Sequence, residues 1–127
     1  MSRMAVLALA ALVVAGCAAT SSSTITAASA PPKWEGPVFV SAEALPPGIK
    51  HTVVGTVQVD ARAGYAGAAT LYPALAAEAR KIGANAVFSA AGGRRMTALS
   101  WAAPYVGGTA VRVEDPKKLE GLAGSMH

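Results

Sequence analysis

The chain has one cysteine, two histidines and little charge. Charged residues fill 14% of its 127 positions and aromatic residues 6%. With Cys17 as the sole thiol, no internal disulfide can form, so a folded unit must be held by its packing alone. His51 and His127 are the only histidines. They and one cysteine do not supply the converging ligands of a zinc site, so neither a metal nor a cofactor is expected. The formal charge of +4 is spread along the chain with no basic stripe interleaved with aromatics, which excludes nucleic acid as the expected partner. The N-terminal apolar run from Met4 to Gly16 has 13 residues, whereas a spanning helix needs about 20.

That short run is nevertheless informative. Arg3 precedes it, it carries no charge, and it ends in Val14-Ala15-Gly16-Cys17. A basic start, a short apolar centre and small residues at the exit describe a secretory signal. A cysteine directly after the small pair resembles the lipobox of bacterial lipoproteins. The resemblance implies that the Cys17 thiol receives a diacylglyceryl group, that the chain is cut before it, and that the new amine is acylated. One acyl chain binds a bilayer only marginally, whereas two or three hold a protein firmly. The expected membrane contact is thus the lipid anchor. Ala18 follows the cysteine where inner-membrane lipoproteins commonly carry Asp, which implies the outer membrane, with the domain facing the periplasm.

Four regions follow from this reading: a signal peptide over 1–16, the lipidated cysteine and a flexible tether over 17–36, a small domain over 37–116, and a tail over 117–127. The tether is expected because 18–30 is almost entirely Ala, Ser and Thr, with Pro31-Pro32 behind it. Such a segment has little to bury. Trp34 is expected to dock on the domain or on the lipid interface.

Within the domain, Pro37–Val40 reads as a short strand or an extended arm. His51–Ala61 is the clearest strand, with Val53, Val57 and Val59 on one face and Thr52, Val54, Thr56, Gln58 and Asp60 on the other. Gly55 marks a bulge or a close packing contact. Leu71–Ile82 has helical spacing, with Pro73 in its first turn, Leu71, Leu75, Ala79 and Ile82 on one face, Glu78 away from them, Arg80-Lys81 at the C-terminal end and Gly83 as the cap. Asn85–Ala91 reads as a strand, Gly92-Gly93 as a turn, Arg95–Trp101 as a hairpin partner broken by Pro104, and Gly107–Val113 as the last strand. The fold class is α+β: one helix on a small mixed sheet, in the order β-α-β-β-β.

The stretch from Val53 to Val113 resembles small bacterial envelope domains, among them the Rcs-pathway stress-sensor lipoprotein and the YbjQ-like domains. The shared features are the strand Val54-Gly55-Thr56-Val57, an alanine-rich helix, and Gly83-Ala84-Asn85-Ala86-Val87 leading into a strand. The sensor family uses disulfides around this core, and this chain has no cysteine there. The matching residues are structural, so no binding residue carries over.

Candidate chemistry is sparse. His51 as a base with Ser89, Thr97 or Ser100 as nucleophile would be the elements of a hydrolase, yet their spacing selects none of them. Asp60 and Glu78 stand alone, and Glu114-Asp115 lie at a strand end. Gly64-x-x-Gly67 is a tight turn or an anion cradle, without the Lys-Ser/Thr of a phosphate loop. Arg94 and Arg95, at the expected hairpin tip, form the candidate interaction surface. Trp101 and Tyr105 flank Pro104 as an exposed aromatic contact or as core. The expected function is a lipid-anchored, non-enzymatic interaction or stress-sensing module that meets an envelope protein through its sheet or the 92–95 hairpin. The alternative is a small-ligand or glycan-binding domain using Gly64–Gly67, and an envelope hydrolase comes third.

Overall fold

Alternating β-branched residues and one amphipathic helix place this chain in the α+β class, and a computed structural model shows that arrangement. It describes residues 19–61, 67–97 and 100–127. The strands are β1 (Ala19–Ile25), β2 (Phe39–Val40), β3 (His51–Ala61), β4 (Ala86–Thr97), β5 (Ser100–Val113) and β6 (Ser125–Met126), and the helix α1 (Tyr72–Lys81) lies between β3 and β4. They form one six-stranded sheet in the order β1-β3-β5-β4-β2-β6. Only β2 and β4 pair in parallel; the other neighbours are antiparallel. Because β3 and β4 both run against β5, they point the same way with β5 between them. The helix therefore crosses over one intervening strand.

α1 covers one face of the sheet. Leu71, Leu75, Ala79 and Ile82 are buried, as their spacing predicts, against Val54, Val57, Val59, Val87, Val106 and Ala110. A smaller cluster lies on the opposite face, where Phe39, Ala86, Phe88, Val111 and Val113 meet Leu119, which sits in a short 3-10 turn over Pro116–Leu119. The helix ends in a Schellman cap: Gly83, at φ +89°, donates to the Arg80 carbonyl and Ala84 donates to the Ala79 carbonyl.

Several expectations are corrected. Residues 19–25, read as part of a tether, form an edge strand paired with β3 from Ala19↔Ala61 to Ile25↔Gly55. Thr20, Ser22 and Thr24 remain largely exposed, so this strand is held by its ladder and not by burial, which is why composition gives no sign of it. The segment 26–36 is also tied to the fold. The Trp34 amide donates to Arg80 O, its indole donates to Pro37 O, and the Arg112 guanidinium lies 4.5 Å from its ring centre. Arg112 also donates to the carbonyls of Gly83 and Pro32, and Arg80 to those of Gly36 and His127.

The tail is part of the fold as well. β6 pairs with β2, and Gly124 is needed because a Cβ there would stand 2.4 Å from the Phe39 ring. Gly92-Gly93 is not a turn and Pro104 does not break a strand. β4 and β5 run through both, and their last pair is Thr97↔Ser100. Pro104 is tolerated because the ladder from β3 to β5 ends at Tyr105, so Pro104 has a strand neighbour on one side only. Gly92 permits close approach, since a Cβ would stand 1.9 Å from Tyr105 O.

On β3, a register shift falls between Val53 and Gly55. It turns Val54 inward and leaves Val53 half exposed, the reverse of strict alternation. Glu78 is buried against expectation, with Lys81 3.2 Å from its carboxylate.

Two residues give tests of this architecture. A Cβ on Gly55 would stand 1.9 Å from Thr24 O in β1. Gly55→Val should therefore release β1 while the helix-sheet core persists, read as new protease cleavage within 19–30 with circular dichroism otherwise retained. Asn85 is buried and its amide both donates to Val113 O and accepts from Val113 N–H, at 2.9 and 2.7 Å. Asn85→Ala strands both groups and should lower stability by about 2–4 kcal/mol, measured by urea unfolding.

Candidate functional site

The outward face of β1, β3 and β5 is built by register. Residues directly opposite in a ladder share a face. Thr24, Thr56 and Thr109 form one row across three strands. Ser22, Gln58 and Gly107 form the next, and Thr20, Asp60 and Tyr105 the third. Asp60 is the only charged residue type among these nine positions. Gln58 donates its amide to Asp60 Oδ2 at 2.9 Å. Tyr105 lies across Gly93 on β4, its ring atoms and hydroxyl 3.5–3.7 Å from where a Cβ of that glycine would be. The Tyr105 ring thus lies over Gly93 at ordinary van der Waals distance.

Gly107 has no side chain beyond the backbone, and the surface dips there. A shallow open depression of about 370 Å³ is lined by Ser22, Thr24, Thr56, Gln58, Gly107 and Thr109. Its chemistry is that of hydroxyls, one primary amide and exposed backbone. It offers many neutral hydrogen-bond donors and acceptors, and Tyr105 stands in the adjoining row.

The sequence-predicted candidates are distributed differently. Cys17 and residues 64–66 of the proposed glycine loop lie outside the described residues. Gly67 caps the 3-10 turn that leads into α1 and accepts a hydrogen bond from the Thr70 hydroxyl. His51 stands exposed at the start of β3, paired with Val113, and its Nδ1–H donates to Ile49 O at 2.7 Å. Thr97 and Ser100 close the β4–β5 hairpin at the opposite end of the sheet. Ser89 sits exposed at a bulge in β4 with φ 54°, its amide held by Glu43 O. The proposed base and nucleophiles are not brought together. The carboxylates are also separate: Asp60 on the outward sheet face, Glu78 on α1, and Asp115 accepting from the Lys117 amide.

Arg94 and Arg95 are placed within β4, opposite Pro104 and Ala103 of β5, and not at the turn itself. This corrects the 92–95 hairpin tip: the hairpin is longer and the arginines lie on its arm. Tyr105 packs outward over Gly93 and not against the helix. Among the described residues no group of three or more His, Cys, Asp and Glu side chains converges as metal ligands would. No described helix is long and apolar enough to cross a membrane.

The face formed by β1 escapes sequence reasoning because 19–25 has the composition of a linker. Residues 20–24 are all Ser or Thr, so no two-residue alternation marks the strand in the sequence. The chain matches no protein-family model, no curated protein and no solved structure.

Proposed function

We propose that this protein is a lipid-anchored envelope protein, held through Cys17 at the outer membrane and facing the periplasm. Its folded part acts as a non-enzymatic interaction or stress-sensing module whose working surface is the outward face of β1, β3 and β5. The observation that carries this reading is the composition of that face. An antiparallel sheet can leave one face to water, but solvated protein surface is normally rich in Lys, Arg, Glu and Asp. Here three in-register rows hold a single charged group. Depletion of charge is the compositional mark of surfaces that bind other molecules.

Tyr105 over Gly93, beside the Gln58–Asp60 pair, favours a second reading as a glycan-binding face. A flat ring next to planar amide and carboxylate groups suits a sugar ring and its hydroxyls. The partner class separates the two readings. A photo-cross-linking residue at Thr56 should capture an envelope protein in cells, while one at Ala77, on the exposed side of α1, should not. Equal capture from both sites, or none from Thr56, would remove the protein-binding reading. For the glycan reading, envelope oligosaccharides should raise the melting temperature of the wild type and leave that of Tyr105→Ala unchanged.

The anchor has its own test. Cys17→Ser should shift the processed product from the membrane to the soluble periplasmic fraction, followed by fractionation and immunoblotting. A processed Cys17→Ser product that stays with membranes would rule out the acyl anchor.

A further inference from the structure

Independently of the proposed anchor and of the face of β1, β3 and β5, we infer that the open edge of β6 and the apolar groove beside it bind the carboxyl-terminal end of an extended peptide whose last residue is apolar. β6 is the outermost strand of the sheet, with β2 on one side only. His127 and Val38 exchange both of their backbone hydrogen bonds, at 2.8 and 2.9 Å. Bonded and unbonded pairs alternate in an antiparallel ladder, so the next pair, Phe39↔Met126, is an unbonded one. The amide and carbonyl of Met126 therefore point away from β2 and off the edge, and Met126 is 53% exposed. Such groups are a template for one more strand. β6 itself carries neither the charge nor the proline that would blunt it.

The groove supplies what a bare edge lacks. It has a volume of about 440 Å³, with Phe39, Leu119, Leu122 and Met126 as its apolar lining and Lys117 and Glu120 as its charges. A mostly apolar concavity with a few polar groups is the usual form of a ligand site. The loop 121–124, which leads into β6, contributes Gly121 and Gly124 to the same lining. Among the described residues, the amides of Gly121, Ala123 and Gly124 meet no backbone acceptor, and Lys117 makes no ion pair.

Direction joins these parts. A strand added antiparallel to β6 ends where β6 begins, so its carboxyl end meets the loop 121–124. Lys117 and the free amides complement a carboxylate. With the last peptide residue opposite Gly124, the third from the end stands opposite Met126. Residues two apart on a strand share a face, and so do directly opposite residues. Both peptide side chains therefore lie on the Met126 face, where the groove opens. Glu120 in the lining repels an acidic last residue, which leaves an apolar one favoured. A free aliphatic acid would also satisfy Lys117, but it would leave the amide and carbonyl of Met126 unpaired. The edge thus selects a peptide.

The test uses the full chain carrying Cys17→Ser, so that no acyl group competes for the groove. The probes are fluorescein-labelled hexapeptides, degenerate in their first three positions and ending in Val-Thr-Val with a free carboxylate. Binding is read by fluorescence anisotropy. Amidation of the carboxylate should weaken it about tenfold or more, and so should replacement of the last Val by Asp. N-methylation of the third residue from the end removes the donor to the Met126 carbonyl and should weaken binding as much. N-methylation of the second from the end, whose amide faces away from β6, should change little. Lys117→Gln should weaken binding about threefold, while Lys117→Arg preserves it. Absence of binding by the free-carboxylate peptides, or equal binding of the amidated ones, would overturn the inference. Equal sensitivity to the two N-methylations would overturn strand addition. Dodecanoate that binds while the peptides do not would overturn it in favour of an aliphatic ligand. Self-association that Met126→Lys abolishes, with no peptide bound, would overturn it in favour of a second copy of the chain.

Discussion

The helix can rest on this sheet because the side chains between them are small. The interface is made of alanine and valine: Ala76, Ala79, Ala84 and Ala110 are fully buried, and Leu75 is the largest residue α1 contributes from its middle. Small side chains bring backbones close, and close backbones leave no space for a Cβ at certain points. Gly108 on β5 is one, where a Cβ would stand 2.6 Å from the Val87 methyl. Gly83 is another, where it would stand 2.4 Å from Pro31 O. A chain with few aromatics and no disulfide cannot rely on a thick core, so it relies on density and on many short polar clasps. Asn85, Arg80 and Arg112 are those clasps, and each ties together segments far apart in sequence.

That economy explains what can and cannot be read from the chain. α1 and β3 are legible because each has a strong period and its own boundary residues, Pro73 and Gly83 for the helix. The class follows from them. β1 is not legible, because Thr20, Ser22 and Thr24 bury little and their role is to complete a ladder with a strand far along the chain. Gly92-Gly93 resembles a turn for a good local reason. The actual role of Gly92, room for the Tyr105 carbonyl, is set across the sheet by a strand not yet paired in the sequence. Gly124 has the same explanation against Phe39. Among the described residues, glycine marks contact more often than reversal, and contact is invisible until the register is known.

The candidate site shares this non-local origin. Its nine outward positions come from three strands that are not consecutive in the chain, and no short motif contains more than three of them. Each of its residues alone is ordinary as chemistry. Their meaning lies in being aligned, in carrying one charge among nine, and in leaving a dip at Gly107 beside Gln58. The residues with more obvious individual chemistry, His51, Ser89 and Ser100, are dispersed by the fold to separate places.

β1 has one further property that comes from its direction. It enters the sheet at Ala19 and runs antiparallel to β3 over seven residues. Tension arriving through the N-terminal end along the strand axis is a shear on that ladder, loading its hydrogen bonds together and not one after another. An edge strand peels readily when lifted sideways, yet it resists being drawn lengthwise. The weakest-looking segment of the chain is thereby oriented as its mechanical coupling.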